Sequence, residues 1–489
     1  MTFCYSNFFL YLCTKINFIM NEVLFKNADP KVIAVTKKLE KWLKGSIFED
    51  KVYYVGGCVR DLILGRPVKD IDIVVEMRSG GIMLANWLAV KDGSWTMGKN
   101  PVIFDSYGTA KFEFKKDPDC AGIELECVQT RKEQYHKESR NPDTVFGTIQ
   151  EDAKRRDLTI NAMYYNITKE AICDINGCGF NDLSHQIIRT PCDPDITFSD
   201  DPLRILRVIR FSARLNWGIS KDTWLGMVKN GHRISIISQE RITDEINKII
   251  TTDHPSVGVR KLLYCGILHR VLPDVYDMQY SYESKNPAVT TFDHTMNVLD
   301  AMVDSNVEHR LAALFHDVGR AMAETDRTVS PNQFSADIAM ADLRKMKYSN
   351  DIVNSVACAI RHHEWFSTYT EGFCPPDKKI RKLMNSCGEN LSVTLDLMNA
   401  NNNCRTFNKK KTQVLQVMRR IEELDEMEAM TNVKLPVDGN EIMKELGIKG
   451  GPQIGVILNE IREEYFENPE ITKEKCFNIA RKVVASLAV

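Results

Sequence analysis

At 489 residues the chain has room for several domains and more than one hydrophobic core. Its 64 basic and 66 acidic residues nearly balance, which excludes a uniformly polybasic protein and leaves any nucleic-acid contact to local patches. The 14 cysteines, without a Cys-x-x-Cys pair, favour reduced thiols and a cytoplasmic location, and no apolar run is long enough to span a bilayer.

The first 20 residues are apolar, contain no acidic residue and have Lys15 as their one basic residue. A signal peptide would begin with positive charge and end at a small-residue cleavage site, and neither is clear. We therefore expect residues 1–30 to be an N-terminal extension that is disordered, or that partly precedes a working start at Met20. A targeting segment is the alternative.

The next part of the chain alternates between helical and strand-like patterns. Apolar residues recur at helical spacing over residues 31–45, and a second helix is predicted at 80–90. Alternating or β-branched runs predict strands at 51–55, 70–76, 107–114, 123–129 and 160–167. The alternation predicts a small mixed α/β head over residues 31–170.

Beyond about residue 170 the strand signal fades and helical patterns dominate. Residues 399–403 and 409–411 are predicted to form a polar loop. The predicted fold class is therefore α+β, with a small mixed head followed by a long all-helical neck, body and tail. The helical patterns are interrupted at Pro194, Pro202, Pro255, Pro273, Pro287 and Pro331.

The most informative segment joins a glycine pair to two aspartates. Gly56 and Gly57 follow an apolar run, and without a Cβ their backbone N–H groups can come close to a phosphate. In the predicted strand 70–76, Asp70 and Asp72 are two residues apart and therefore lie on one face. Two carboxylates directed at one point suit Mg²⁺, which leaves the rest of its coordination to water and substrate phosphates. The spacing indicates metal-assisted nucleotidyl transfer, although a glycine pair alone is usually a tight turn.

Two later segments supply cations. Arg155 and Arg156 offer forked donors to phosphates or a ribose, and Asp157 can hold an arginine or a sugar hydroxyl in place. Residues 200–202 suit a helix start. Like charges on one helix face repel each other, so we expect an anion or an acidic partner beside the arginines of this helix. These arginines are Arg204, Arg207, Arg210 and Arg214.

Together these segments resemble the motifs of the class II tRNA nucleotidyltransferase and poly(A) polymerase family. The glycine and aspartate segment matches GGxVRDxLLGxxxxDhDh nearly completely, with h apolar, and Ile63 stands where the pattern has Leu. The later segments match RRDhThNA and EDxLRxxR, except that Asp200 stands where the family usually has Glu. The motifs occur in the family's order, so we expect the family's chemistry.

The resemblance implies a role for each matching residue. Asp70 and Asp72 would be catalytic and bind Mg²⁺, Glu126 would support them, and Asp201 with Arg204 would read the base of CTP or ATP. The nucleotide-binding residues that it implies are Gly56, Gly57, Arg60, Asp61, Arg156, Asp157, Asp201, Arg204, Arg207 and Arg210.

A second group of residues resembles the HD phosphohydrolase pattern that many bacterial tRNA nucleotidyltransferases carry. The resemblance implies a possible site for a second divalent metal at His294, His316 and Asp317. The pattern is incomplete, because residues 336–338 lack the frequent Gly-His-Glu and Asn401 stands where an aspartate is expected. A domain retained for its shape and for RNA contact is the alternative.

The sequence thus predicts template-independent addition of CCA to the 3′ end of tRNA, from CTP and ATP, with release of pyrophosphate and no membrane partner. A poly(A) polymerase, or a partial adder of CC or A, shares these motifs and is the nearest alternative. An HD-domain metal-dependent phosphohydrolase is an alternative of another class. The predicted regions are an extension (1–30), the catalytic head (31–170), a helical neck that binds RNA and nucleotide (171–285), an HD-type helical domain (286–404) and a helical tail (405–489).

Overall fold

The computed structural model describes residues 24–25, 27–68, 70–105, 108–136, 139–283, 286–303, 306–320, 330–367, 374–404, 411–431, 435–448, 450–467 and 471–487. Contacts divide the chain into two compact units, residues 1–361 and 362–489, and each is described by itself. The expectations for residues 1–20 lie outside the described residues.

The first unit begins with a mixed α/β head. Its helices are α1 (Pro30–Leu43), α2 (Gly57–Ile63), α3 (Gly80–Asp92), α4 (Ile149–Lys154) and α5 (Gly179–Ser184). Its strands are β1 (Val52–Val55), β2 (Ile71–Val75), β3 (Val102–Phe104), β4 (Thr109–Glu113), β5 (Glu124–Gln129), β6 (Arg131–His136), β7 (Ser139–Phe146), β8 (Met163–Asn166) and β9 (Ala171–Asp174).

Seven of these strands form one sheet in the order β3-β4-β5-β2-β1-β8-β9, and β6 pairs with β7 as a separate hairpin. The β2–β5 pair is parallel, and the other pairs in the sheet are antiparallel. Parallel pairing requires a crossover connection, which α3, β3 and β4 provide between β2 and β5.

Alternation along the strands gives the sheet one closed face and one partly open face. Ile73, Ala110 and Cys127 are fully buried on the face that packs against α3. Gly81 allows α3 to approach closely, because a Cβ there would lie only 2.6 Å from the carbonyl oxygen of Cys127. Asp72 points to the opposite face, so its carboxylate is not buried in the core between the sheet and α3.

The rest of the first unit is mainly helical. Its helices are α6 (Pro194–Asp200), α7 (Leu203–Leu215), α8 (Lys221–Asn230), α9 (Gln239–Ile250), α10 (Pro255–Tyr264), α11 (Leu268–Val271), α12 (Pro273–Asp277), α13 (Thr291–Ala301), α14 (Val307–Phe315), α15 (Pro331–Lys345) and α16 (Asn350–His362), where the division falls. Its short strands are β10 (Ile187–Ile188), β11 (Gly218–Ile219), β12 (Tyr282–Glu283) and β13 (Asn286–Thr290). Pro194, Pro255, Pro273 and Pro331 each open a helix, where a missing N–H leaves no helical bond unmade.

The second unit is helical wherever the structure describes an element. Its helices are α17 (Asp377–Cys387), α18 (Leu391–Cys404), α19 (Lys411–Thr431), α20 (Gly439–Leu446), α21 (Pro452–Glu467) and α22 (Lys473–Leu487). The prediction of a polar loop at Asn399–Asn403 is wrong, because these residues continue α18. Val393, Leu397 and Ala400 are buried at helical spacing along it, and this apolar face outweighs the polar run. Of the second predicted loop segment, residues 409–410 lie outside the described residues and Lys411 begins α19.

The structure confirms the predicted alternation in the head and the predominance of helix after it. The hairpin of β6 and β7 was not predicted, because its sequence is polar and lacks the apolar alternation of a half-buried strand. No helix among the described residues is long and apolar enough to cross a bilayer. The five regional boundaries stay predictions.

Candidate active site

The predicted metal-binding aspartates lie at the open face of the sheet. Asp72 is in β2, where parallel pairing places it beside Glu126 of β5, and Asp70 directly precedes β2. Burial raises the pKa of Asp72 to about 6, and the charges of Glu126 and Asp70 add to the rise. Arg156 and Lys111 lower that pKa without cancelling the rise. The site therefore concentrates negative charge that a bound cation would offset.

Gly56 forms the turn that borders this site. Its φ is +73°, a left-handed conformation that favours glycine. A Cβ at this position would lie 3.6 Å from Asp72 Oδ2 and 3.8 Å from Arg156 Nη1. Gly56 thus turns the chain from β1 into α2 and brings its backbone between a carboxylate and a guanidinium group.

A cavity of about 270 Å³ joins the carboxylates of Asp72 and Glu126 to the arginines of the second motif, and Asp70 is not among its lining residues. Strands β1, β2, β4 and β5 line its sheet side, and β6 and the end of α4 contribute the basic residues. Its acidic and basic groups face one space, as binding a metal ion together with a triphosphate requires. The lining residues are Val55, Asp72, Thr109, Glu126, Val128, Arg131, Arg155 and Arg156.

Asp152 holds both arginines of the pair in position. Its carboxylate is fully buried and accepts hydrogen bonds from Arg155 Nη2 at 2.6 Å, Arg156 Nη2 at 3.0 Å and the Tyr164 hydroxyl at 2.8 Å. Burial alone would raise the pKa of Asp152, but Arg156 and Arg155 outweigh it and lower the pKa. The cavity arginines are therefore positioned by an ion-pair network before any substrate binds.

Asp157 connects the same segment to α7. It accepts hydrogen bonds from Arg207 Nη2 at 2.6 Å and Asn161 Nδ2 at 3.1 Å. Burial opposes ionisation of Asp157, but Arg207 and Asn161 prevail and lower its pKa to about 2. Arg60 is buried nearby and donates to Asp61 Oδ2 at 2.8 Å and to Asn161 Oδ1 at 2.7 Å. Phosphate binding by Arg60 stays a prediction, since these contacts are within the protein.

Of the two predicted base-reading residues, Arg204 contacts a residue that lines the cavity, and Asp201 lies at the start of the same helix. Asp201 Oδ1 accepts the backbone N–H of Leu203 at 3.2 Å and so caps the start of α7. Arg204 Nη2 donates to the carbonyl oxygen of Arg155 at 2.7 Å and lies 3.6 Å from Glu133 Oε2 of the β6–β7 hairpin. The structure thus brings the third motif against the second, across 49 residues of sequence.

The acidic partners expected for the arginines of α7 are residues of this chain. Arg207 pairs with Asp157, and Arg210 Nε lies 2.8 Å from Glu245 Oε2 of α9. With Arg204 near Glu133, three of the four arginines are matched by carboxylates, and Arg214 is exposed. The charge of this face therefore does not by itself require an external anion.

Comparison with known proteins agrees with this arrangement. Residues 52–189 match a family model described as the poly A polymerase head domain, and residues 217–278 match one described as a probable RNA and SrmB-binding site of polymerase A. The chain is 31% identical over 326 residues to a multifunctional CCA protein of Chromobacterium violaceum, covering 64% of this chain and 74% of that protein.

The chain belongs to the class II tRNA nucleotidyltransferase and poly(A) polymerase family. It is also 28% identical over 484 residues to the tRNA nucleotidyltransferase cca1 of Schizosaccharomyces pombe, covering 92% of this chain and 93% of that protein. The structure of a Thermotoga maritima CCA-adding enzyme complexed with tRNA superposes with a TM-score of 0.58 at 20% identity, covering 95% of this chain and 98% of the other. The predicted family, fold class and enzyme class are confirmed.

A second cluster is formed by His294 of α13 and by His316 and Asp317, which directly follow α14. The ligand atoms of His294, His316 and Asp317 all lie within 4.8 Å of one another, and the three side chains are buried. Asp317 Oδ2 is 3.2 Å from His316 Nε2 and 2.6 Å from Arg320 Nε. The fold thus brings the three predicted metal ligands together, and Arg320 pairs with the carboxylate of Asp317.

Two residues that position arginines of this site, Asp152 and Glu133, were not predicted from the sequence. Asp152 carries a usable signal, because it precedes Arg155 and Arg156 by three and four residues, the spacing at which side chains meet on a helix such as α4. Glu133 carries none, because its partner Arg204 is distant in sequence and is reached only through the fold.

Proposed function

We propose that this chain adds CCA to the 3′ end of tRNA, with Asp70 and Asp72 as the metal-binding catalytic carboxylates. The observation that carries the assignment is the contact of Arg204 with the Arg155 carbonyl, because Arg155 lines the cavity of Asp72. A base-reading helix and a carboxylate pair are both needed for nucleotide addition without a template. Relatives named as CCA proteins and a fold neighbour with bound tRNA support the same reaction.

The donor set fits Mg²⁺. Asp72 and Glu126 are neighbouring carboxylates, and oxygen ligands with room for water and phosphate are what Mg²⁺ prefers. Asp70 and Asp72 would hold the ion, which when bound lowers the pKa of the RNA 3′-hydroxyl and neutralises charge on the triphosphate.

Side chains and one backbone group of the protein would bind the triphosphate and recognise the incoming base. Arg155 and Arg156, fixed by Asp152, would face the triphosphate and stabilise the charge that develops during transfer. In that step the 3′-hydroxyl gives its proton to water, its oxygen bonds the α-phosphorus, and the bond from the α-phosphorus to pyrophosphate breaks. Asp201 and Arg204 offer an acceptor and a donor to the edge of the incoming base. Gly57 N–H supplies a further phosphate contact from the start of α2. The cytoplasmic location stays a prediction.

The function is tested with purified protein, Mg²⁺ and tRNAs that end at the discriminator base, at C or at CC. Each nucleoside triphosphate is supplied singly and in combination, and the Asp70→Ala/Asp72→Ala variant is the control. Growth by CCA followed by arrest supports the proposal. Long A tails would instead identify a poly(A) polymerase, and growth limited to CC or to a final A would identify a partial adder.

We expect Gly56→Ala to slow nucleotide addition at least about tenfold. The positive φ of Gly56 strains any other residue by about 1 kcal/mol or more, and the Cβ enters the space between Asp72 and Arg156. Gly93→Ala is the control for a positive φ without neighbouring groups, since Gly93 has a φ of +68° with a ψ of +18° and no atom within 4 Å of its Cβ position. Equal loss of activity in the two variants would show that the space at Gly56 is unimportant.

A second candidate activity is metal-dependent phosphoester hydrolysis at His294, His316 and Asp317. The observation that favours it is the buried cluster of three potential ligands. We expect the protein loaded with Mn²⁺ or Ni²⁺ to retain metal after gel filtration, and His294→Gln to reduce that metal content. Hydrolysis of p-nitrophenyl phosphate that survives Asp70→Ala/Asp72→Ala and is lost in His294→Gln would establish the activity. Metal content unchanged in a folded His294→Gln protein would exclude this site.

A further inference from the structure

The edge strand β3 exposes apolar side chains beside the catalytic cavity. Val102, Ile103 and Phe104 are 39%, 39% and 40% exposed. An apolar strand at the edge of a sheet is a liability for a protein unless the edge has a partner. The position of β3 in the sheet indicates that the partner is the RNA acceptor strand.

Register places Phe104 on the catalytic face. Phe104 pairs with Thr109 of β4, and Thr109 pairs with Val128 of β5, so the three side chains share one face. Val128 is two residues beyond Glu126 in β5, and Glu126 pairs with Asp72. Since side chains alternate along a strand, Phe104 and Val102 lie on the same face as Asp72. Ile103 pairs with the buried Ala110 and points to the other face.

Among the described residues, this face is closed on one side of the cavity and open on the other. Beyond β1 it is closed, because Tyr164 of β8 is fully buried and Arg156 Cζ lies 5.3 Å from its ring centroid. Towards β3 it continues from Thr109, which lines the cavity, to Phe104 on the next strand, about 5 Å away. An RNA strand whose 3′ end lies at Asp72 can leave the cavity along this side.

The side chains along that path suit single-stranded RNA. Phe104 offers an aromatic surface on which a base can stack, and Val102 extends its apolar area. Lys111 lies between Val102 and Glu126 in the register, and its Nζ is 2.8 Å from Glu124 Oε1. A cation beside an aromatic surface is the combination that binds a phosphate and a base of one nucleotide.

We propose that Phe104 stacks on a base near the 3′ end of the RNA acceptor and positions that strand for attack at the catalytic cavity. The proposal rests on the proposed function, because it assigns the RNA to the site of Asp72. Phe104 would position the RNA only. The triphosphate would still bind to Arg155 and Arg156, and its base would still contact residues at the start of α7.

The test compares Phe104→Ala with Ile103→Ala, a matched variant of nearly equal exposure on the opposite face. With an RNA minihelix ending in CC, we expect Phe104→Ala to raise the KM for RNA about tenfold and to leave the KM for ATP unchanged. Ile103→Ala should change neither constant, and Phe104→Trp should restore the KM for RNA. Equal effects of Phe104→Ala and Ile103→Ala, or a change confined to the KM for ATP, would overturn the proposal.

A binding measurement separates this proposal from the function on which it rests. The minihelix carries 2-aminopurine at one of its last three positions, and no nucleotide is added. We expect the wild-type protein to quench the fluorescence at one position and Phe104→Ala to lose the quenching. Failure of the wild-type protein to extend any RNA would contradict the proposed function, whereas quenching that Phe104→Ala retains would contradict stacking. Sedimentation that shows a dimer lost in Phe104→Ala would assign the edge to a second copy instead.

Discussion

Asp72→Asn is expected to reduce nucleotide addition by about a thousandfold or more while raising the stability of the metal-free protein. Loss of addition is expected because the amide cannot offset the charge of a bound Mg²⁺ or help to orient it against the triphosphate. The measurement is the single-turnover rate of CTP addition at saturating RNA. Glu113→Gln is the control, since Glu113 lies in the same sheet, is accessible to solvent and pairs with Lys115.

The gain in stability is a consequence of the sign of the pKa change. The pKa of Asp72 rises from 3.8 to about 6 on folding, so the folded protein binds the proton more tightly than the unfolded chain. Stability conferred by the protonated carboxyl is present below pH 4 and is lost as the pH rises through 6. At pH 7 the ionised carboxylate thus costs up to about 3 kcal/mol, which Asp72→Asn removes. Urea unfolding of both proteins in EDTA should show a larger stability gain from Asp72→Asn at pH 7 than at pH 5. An equal gain at the two pH values would contradict the burial of this charge.

The local parts of the site can be predicted from the sequence, because their chemistry depends on short spacings. Gly56 lies where a strand turns into a helix, and Asp72 alternates with buried neighbours in β2. The residues directly around each position therefore predict it. The same holds for Asp201, whose cap on α7 is indicated by its place before Pro202. In each case a rule of strand or helix geometry acts within a few residues.

The connections between motifs cannot be predicted in that way. Arg207 appears in the sequence as one of four repelling cations, and only the fold shows that Asp157 neutralises it from 50 residues away. The β6–β7 hairpin, which carries Glu133 to Arg204, has no apolar alternation because its strands pair with each other and not with the sheet. Edge strand β3 was missed for a related reason, since three residues are too few to show a period. Tertiary pairing, not local propensity, decides these features.

Asp152→Ala is expected to be the most damaging substitution outside the catalytic carboxylates. Asp152 is fully buried and accepts hydrogen bonds from Arg155 and Arg156, so its removal leaves two guanidinium groups without their main anion. Breaking a buried pair from one side costs about 3–5 kcal/mol. We expect that loss in urea unfolding, together with a fall in addition rate of at least about a hundredfold, because the arginines no longer face the triphosphate in a fixed orientation.

Two further variants separate positioning from folding. Glu151→Gln changes the neighbouring carboxylate of α4, which is accessible to solvent and pairs with Lys132, so we expect little loss of stability and nearly normal addition. Asp152→Asn keeps the volume and one acceptor oxygen, so it should recover part of the stability while the KM for CTP stays raised. If Asp152→Asn restored both stability and KM, the charge of Asp152 would be dispensable, and a neutral acceptor oxygen of the same size would suffice to hold the arginines. A raised KM in a stable protein would instead show that this buried carboxylate aligns the cations that receive the triphosphate.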